Sequence, residues 1–319
     1  MKRALIFGVS GQDGGYLAKL LMSKNYKVYG VSRDLETCNL SNLRHLNILE
    51  SVEIFSGTAN DFKSVMQVLQ KSNPDEVYNL SGQSSVSMSF EKPLETIKSI
   101  VLGTQNILDG IRQHNPKIKF FNSCSTECFG DTRDYVADEF TAFRPLSPYS
   151  MAKSMAFWQV ANYRDMHGMF LCSGIMSNHE SPQRPESFVT QKIVSSACRI
   201  FEGSTERLYL GNLDIERDWG WAPEYVEAMW LMLQHPEPLD FIIATGKSTP
   251  LLDIVEKIFA SLDLDYKQHL FTKNDLLRPS DFRVSRVTPM LIQKTLGWKA
   301  EVKIDDIISN LVKSKLSHE

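Results

Sequence analysis

Short runs of β-branched and aromatic residues alternate with stretches whose apolar residues recur every three or four positions, from the start of the chain to about residue 177. "ALIFG" precedes a helical pattern over 12–24; "KVYGVSR", "VEIFSG", a helix from 61 and "EVYNLSG" follow. A long helix over 94–113, "KIKFFNS" (a strand over 117–122), a helix from 148 and "MFLCSGIM" complete the series. In the first helix Leu17, Leu20 and Leu21 lie on one stripe, the face that a sheet would bury. Alternation of this kind predicts an α/β fold, a doubly wound parallel sheet with helices on both faces.

Beyond 177 the rhythm loosens. Pro182 and Pro185 interrupt a polar stretch, helices are predicted over 188–201, 225–234, 251–262 and 304–315, and "RLYLG" and "FIIATG" have the composition of strands. The pattern therefore divides the chain into residues 1–177 and a smaller α/β unit, 178–319, with the chain crossing back to the first unit within 212–245. At 319 residues it is long enough for one elaborated domain or two closely packed ones.

Composition narrows the class. Apolar residues make up 42% and charged residues 23%, with a net charge of -3, which offers no case for nucleic acid or an anionic membrane as the main partner. No apolar run approaches the roughly 20 residues that span a bilayer. "MKRALIFGVSG" reads as a first strand and not a signal peptide. The five cysteines are odd in number and scattered, as expected of reduced thiols in a cytoplasmic protein, and neither they nor the dispersed histidines predict a metal site.

The candidate chemistry begins at "GVSGQDGG". Gly8, Gly11 and Gly14, with Ser10, Gln12 and Asp13 among them, sit between the first strand and the first helix. Glycines there allow a tight turn and close backbone approach to a pyrophosphate at the helix N-terminus, so the fold is expected to be of Rossmann type and to bind a dinucleotide. The second strand ends "GVSRD": Ser32 stands where an acid would receive the ribose hydroxyl of NAD, and Arg33 suits the 2′-phosphate of NADP. NADP is therefore expected; a one-residue shift of register would let Asp34 bind the hydroxyl of NAD instead.

"SPYSMAK" places Tyr149 and Lys153 four residues apart, with Ser147 and Pro148 suited to the cap and first position of a helix. Both side chains then leave one helix face. An ammonium beside a phenol favours phenolate, which makes a base for a sugar or alcohol hydroxyl. Ser125, at the end of the preceding strand, completes the set.

Together these features resemble the extended short-chain dehydrogenase/reductases, and longer motifs narrow the resemblance to the GDP-mannose 4,6-dehydratase family: "GQDGGYLA", "YNLSGQSSV", "RPLSPYSMAK", "NHESPQRPESFVTQKI" and "LGNLDIERDWGWAPEYVEAMWLMLQ". The resemblance implies catalysis by Ser125, Glu127, Tyr149 and Lys153. Tyr149 would take the C4 hydroxyl proton as C4 is oxidised, Glu127 would take the C5 proton and help the C6 hydroxyl leave as water, and hydride would return to C6. It also implies cofactor contacts from Ser81, Gln83, His179 and Arg184, and contacts to the GDP-sugar from Ser85, Asn178, Lys192, Arg217 and Arg278. A homodimer or homotetramer is implied as well. Departures fall at Thr58, where the family has aspartate, and near "LRPSDFR", where the chain is shorter and Asp281 replaces glutamate. The substrate expected is GDP-mannose or a GDP-manno-heptose. The rival readings are a GDP-sugar 4-reductase or epimerase using the same tyrosine and lysine, and a catalytically silent nucleotide sensor.

Overall fold

The computed structural model describes residues 1–33 and 39–317. Strands β1 (Arg3–Phe7), β2 (Lys27–Ser32), β3 (Glu53–Ser56), β4 (Glu76–Asn79), β5 (Lys119–Ser125) and β6 (Leu171–Met176) run parallel. Between them lie α1 (Gln12–Ser23), α2 (Ser41–His45), α3 (Phe62–Ser72), α4 (Val86–Glu91), α5 (Pro93–Ile97), α6 (Gly103–His114) and α7 (Pro148–His167). The long helix expected over 94–113 is α5 and α6, joined by a π-helical turn at Lys98–Leu102.

Local chemistry sets the ends of these helices. Asp61 caps α3 by accepting from the Lys63 and Ser64 amides, and Asn73 closes it in the left-handed conformation. Ser147 and Ser150 form a capping box at the start of α7, which fixes the orientation of Tyr149 two residues later.

After β6 come β7 (Asn178–Glu180), α8 (Val189–Phe201), β8 (Leu208–Leu210), β9 (Glu216–Trp221), α9 (Ala222–Gln234) and β10 (Phe241–Ile243). Then follow β11 (Ser248–Pro250), α10 (Leu251–Ala260), β12 (Leu270–Thr272), α11 (Met290–Leu296) and α12 (Ile304–Leu316). The large sheet has seven strands in the order β10-β6-β5-β4-β1-β2-β3. The chain thus returns to it through α9 and β10.

Each face of the large sheet has its own core. Leu17 and Leu21 of α1 meet Val226, Met229 and Met232 of α9 on one side; Val65, Leu69, Ile107, Ile111 and Val160 cover the other. Such fully buried aliphatic side chains contribute about 2 kcal/mol each by leaving water. A separate cluster, including Ile193, Trp219, Ile254, Ile258 and Leu311, holds α8, α10 and α12 against β9. The strand order reverses between β1 and β4, so a crevice opens at their carboxyl ends, where ligands bind in sheets of this type.

Candidate active site

Gly8 follows β1 with φ +87, and a Cβ there would lie 2.7 Å from the Leu80 carbonyl oxygen beyond β4. A Cβ at Gly14 would come within 2.2 Å of the Gly8 oxygen. Both positions must therefore remain without side chains, and the crevice is a backbone-lined cradle of the kind that a pyrophosphate requires. Gly11 precedes α1 in an extended conformation and donates its amide to the Gly8 oxygen. Ser10 gives its carbonyl to Asn42.

The strap 178–184 crosses the start of α1. Gln12 donates to the His179 carbonyl and accepts from the Ser181 hydroxyl. His179 Nε2 faces both oxygens of Asp13, at 3.0 and 2.9 Å, while Nδ1 meets the Ser177 carbonyl at 2.8 Å. Burial is the largest influence on the Asp13 carboxyl and would raise it, but the His179 charge, the hydrogen bonds from His179 and Gln12 and the Arg184 charge together hold that group below its ordinary value. Burial likewise opposes protonation of His179, and Asp13 overcomes it, so the imidazole is raised. Arg184 donates Nη1 to the His179 carbonyl, stacks on Phe188 at 4.1 Å and lies 3.3 Å from the buried Glu180 carboxylate.

Ser32 is buried at the end of β2 and Arg33 is exposed immediately beyond it; Asp34, the alternative contact, lies outside the described residues. Past β4, Ser81 donates its hydroxyl to Asn79. Gln83 is occupied within its own turn, donating to the Ser85 carbonyl and Thr96 and accepting from the Ser85 amide. Ser85 caps α4 through the Met88 amide.

β5 continues to Ser125, three residues beyond the predicted end at 122, because Asn122, Ser123 and Cys124 stay in register with β6. Ser123 and Ser125 consequently share one face. Lys153 reaches that face and donates Nζ to the Ser123 carbonyl at 2.8 Å and hydroxyl at 3.1 Å, contacts that sequence reasoning missed. The period-two alternation of the strand was the available signal. Ser125 caps the following turn, Thr126–Phe129, by accepting from the Glu127 amide. Cys124 and Cys128, with sulfurs 3.8 Å apart and facing the Lys153 and Ser150 carbonyls, pack this turn against α7.

Tyr149 is packed among Ile100, Val101, Ala152 and Ala156, two of them from the π turn. Burial pushes its phenol above the ordinary value, Cys128 and Glu127 push the same way, and the Ser125 hydroxyl opposes them. The expected lowering by Lys153 is not found in this arrangement, because the ammonium is turned to Ser123 and stands 5.8 Å from the ring centre.

Glu127 faces a cluster of charges. Arg217 Nε lies 3.6 Å from its carboxylate, and Arg217 also donates to Asp281 at 3.1 Å. Arg278 lies 3.6 Å from Asp281 and donates to Ser87 on α4, spanning the cleft. Burial raises the Glu127 carboxyl, Arg217 and then Arg278 lower it, Asp281 raises it, and the balance stays above the ordinary carboxylate value. Asn178 begins β7, and Lys192 on α8 donates to the Tyr209 carbonyl at 2.6 Å. Among the described residues no group of three His, Cys, Asp or Glu side chains is placed to hold a metal ion.

A parallel sheet with its cradle at the β1–β4 crevice, and serine, tyrosine and lysine gathered at the end of β5, defines an extended short-chain dehydrogenase/reductase. The family model described as GDP-mannose 4,6 dehydratase matches residues 5–311, and the chain belongs to that family. It is 37% identical to GDP-mannose 4,6 dehydratase 1 of Arabidopsis thaliana over 325 residues, covering 99% of this chain and 90% of the relative. The dTDP-glucose 4,6-dehydratase of Streptomyces venezuelae, solved with NAD and TYD bound, superposes with a TM-score of 0.87 at 18% identity, covering 98% and 96% of the two chains. RMD from Pseudomonas aeruginosa, solved with NADPH, gives 0.83 at 19% identity over 100% of each.

Proposed function

We propose that this chain is a hydro-lyase, a GDP-sugar 4,6-dehydratase that converts GDP-mannose to the GDP-4-keto-6-deoxy sugar and keeps NADP bound between turnovers. The observation that carries the reading is Glu127, a largely but not fully buried carboxylate with a raised pKa on the turn that also presents Ser125 towards Tyr149. A 4-reductase or epimerase needs the serine, tyrosine and lysine but has no use for that acid. The sequence relatives, all but full-length matches at about a third identity, support the same choice.

Gly8, Gly11 and Gly14, with Ser10, Gln12, Ser81 and Gln83 around them, would hold the dinucleotide. Asp13 would repel its phosphates were it not paired with His179, so that pair and Arg184 keep the phosphate end from being negative. Arg33 after Ser32 supports NADP over NAD. A bound nicotinamide supplies the hydride acceptor, later the donor, and a positive charge that favours loss of the Tyr149 proton.

Tyr149 takes the C4 hydroxyl proton, with Ser125 steadying the phenolate and Lys153 anchoring that end of α7 to β5. Once C4 is a ketone, the C5 hydrogen is acidic enough for a carboxylate. Glu127 takes that proton, the C5–H electron pair becomes the C5–C6 double bond, and the C6 hydroxyl leaves as water with a proton returned from Glu127. Ser85 and Asn178 border the sugar, while Lys192 and Arg278 supply charge for the diphosphate.

Helices α5 and α7 present Leu94, Ile97, Met151, Met155 and Trp158 to solvent. The i, i+4, i+7 spacing of the last three makes one apolar stripe, which supports a homodimer or homotetramer.

Incubation of the pure protein with GDP-mannose, and separately with a GDP-manno-heptose, without added cofactor, tests the reading by mass spectrometry. A product lighter by one water and bearing a ketone is expected. Oxidation or reduction of either sugar in step with added NADP or NADPH would overturn it.

A further inference from the structure

Residues 283–285 run beside the start of β9: Val284 bridges Glu216, the Glu216 amide donates to the Arg283 carbonyl at 2.7 Å, and the Ser285 amide donates back to Glu216. This pairing carries Asp281 to the guanidinium of Arg217, which is 4% exposed. Protein acceptors already occupy that guanidinium. Nη1 serves the Glu216 and Arg283 carbonyls, Nη2 serves Asp281 and the Phe282 carbonyl, and Nε faces Glu127. The Phe282 ring covers its flat side at 3.9 Å. The Nε edge of this enclosed arginine is the one turned towards the Glu127 carboxylate.

We propose that Asp281 is a positioning residue for Glu127: by sharing Arg217, it leaves the Glu127 carboxylate only partly neutralised, so that one group can both accept the C5 proton and return one to the departing hydroxyl. A carboxylate fully paired with arginine would be a weak base, and one left alone in a buried site would stay protonated. Asp281 sets the point between these limits. The groups facing Glu127 are Arg217 from β9, Arg278 and Asp281 from the loop after β12, and Tyr149 from α7; Asp131 acts on Arg217 from the loop after β5. The inference rests on the dehydratase reading for its consequence in catalysis, although the coupling between Asp281 and Glu127 does not.

Two measurements separate these. Infrared difference titration of the protein without substrate follows the Glu127 carboxyl band, identified by its loss in Glu127→Gln. In Asp281→Asn the band should disappear at lower pH than in the wild type, because the acid in direct contact with Arg217 besides Glu127 is then gone. In the dehydration assay, the acid limb of kcat should move the same way: at the pH where the wild type has fallen to half its plateau, the variant should retain most of its own. Asp281→Glu should restore both midpoints. If Asp281→Asn does not fold by circular dichroism, Asp281→Ser undergoes the same measurements. A band and limb that stay at the wild-type pH, or a raised KM for GDP-mannose with an unmoved profile, overturn the role of Asp281. Absence of dehydration by the wild type overturns the function instead, and the infrared result still decides the coupling.

Discussion

Asp13 and His179 are 166 residues apart in the chain, and their contact joins the first turn of α1 to the strap after β6. The pH dependence of this pair follows from the two shifts. The raised imidazole contributes stability that is complete below the ordinary histidine value of 6.5 and is lost as pH rises through the folded value. The lowered carboxyl contributes stability present above 3.8 and lost as pH falls through its folded value. The pair therefore stabilises most between those ordinary values. His179→Gln should lower stability by about 3 kcal/mol near its maximum, since it leaves a largely buried carboxylate without its partner. Urea unfolding at about pH 6 and about pH 9 checks the sign: the wild type should lose more stability than the variant over that interval. Parallel losses would mean that His179 is not charged in the folded protein.

At the level of elements, the Rossmann half was legible because its strands are continuous apolar runs and its helices carry single apolar stripes. α1, α3 and α7 begin within a residue of their expected starts, at an uncapped Gly11 and at the caps Asp61 and Ser147. β9 was not legible as a strand. Its sequence, ERDWGW, places Arg217 and Asp218 in the interior, where the guanidinium is surrounded by acceptors and the carboxylate takes the Thr245, Gly246 and Lys247 amides. A periodicity of apolar residues cannot reveal a strand whose buried positions are charged. β7 and β11, at three residues each, read NHE and STP, too short and too polar to carry a strand pattern. The side chains proposed to be catalytic were legible as motifs because they lie close in sequence. Their electrostatic setting was not, because Arg217, Arg278 and Asp281 arrive from 90 to 154 residues away on a strand and loop of weak pattern.

The whole molecule joins two kinds of support around one cleft. The large sheet provides the cradle, Ser125, Tyr149 and Lys153, and the C-terminal strands and loop provide the charges around Glu127. No described helix is long and apolar enough to cross a membrane. The apolar stripe on α5 and α7 leaves Trp158 62% exposed in the isolated chain, beside Met151 and Met155. Sedimentation should find the wild type at two or four times 36.3 kDa, and Trp158→Glu should shift it towards 36.3 kDa. A monomeric wild type would remove the stripe from assembly.

The central claim is that a carboxylate at position 127 takes the proton from C5. Dehydration of GDP-mannose in deuterium oxide, read by NMR of the product, tests it most directly. Having given the C5 proton to the departing hydroxyl, Glu127 must take a new one from solvent before it protonates C5, so the ketone product should carry deuterium at C5, and Glu127→Gln should give neither product nor label. A product that retains its original hydrogen at C5, or Glu127→Gln that still eliminates water at the wild-type rate, would contradict the account.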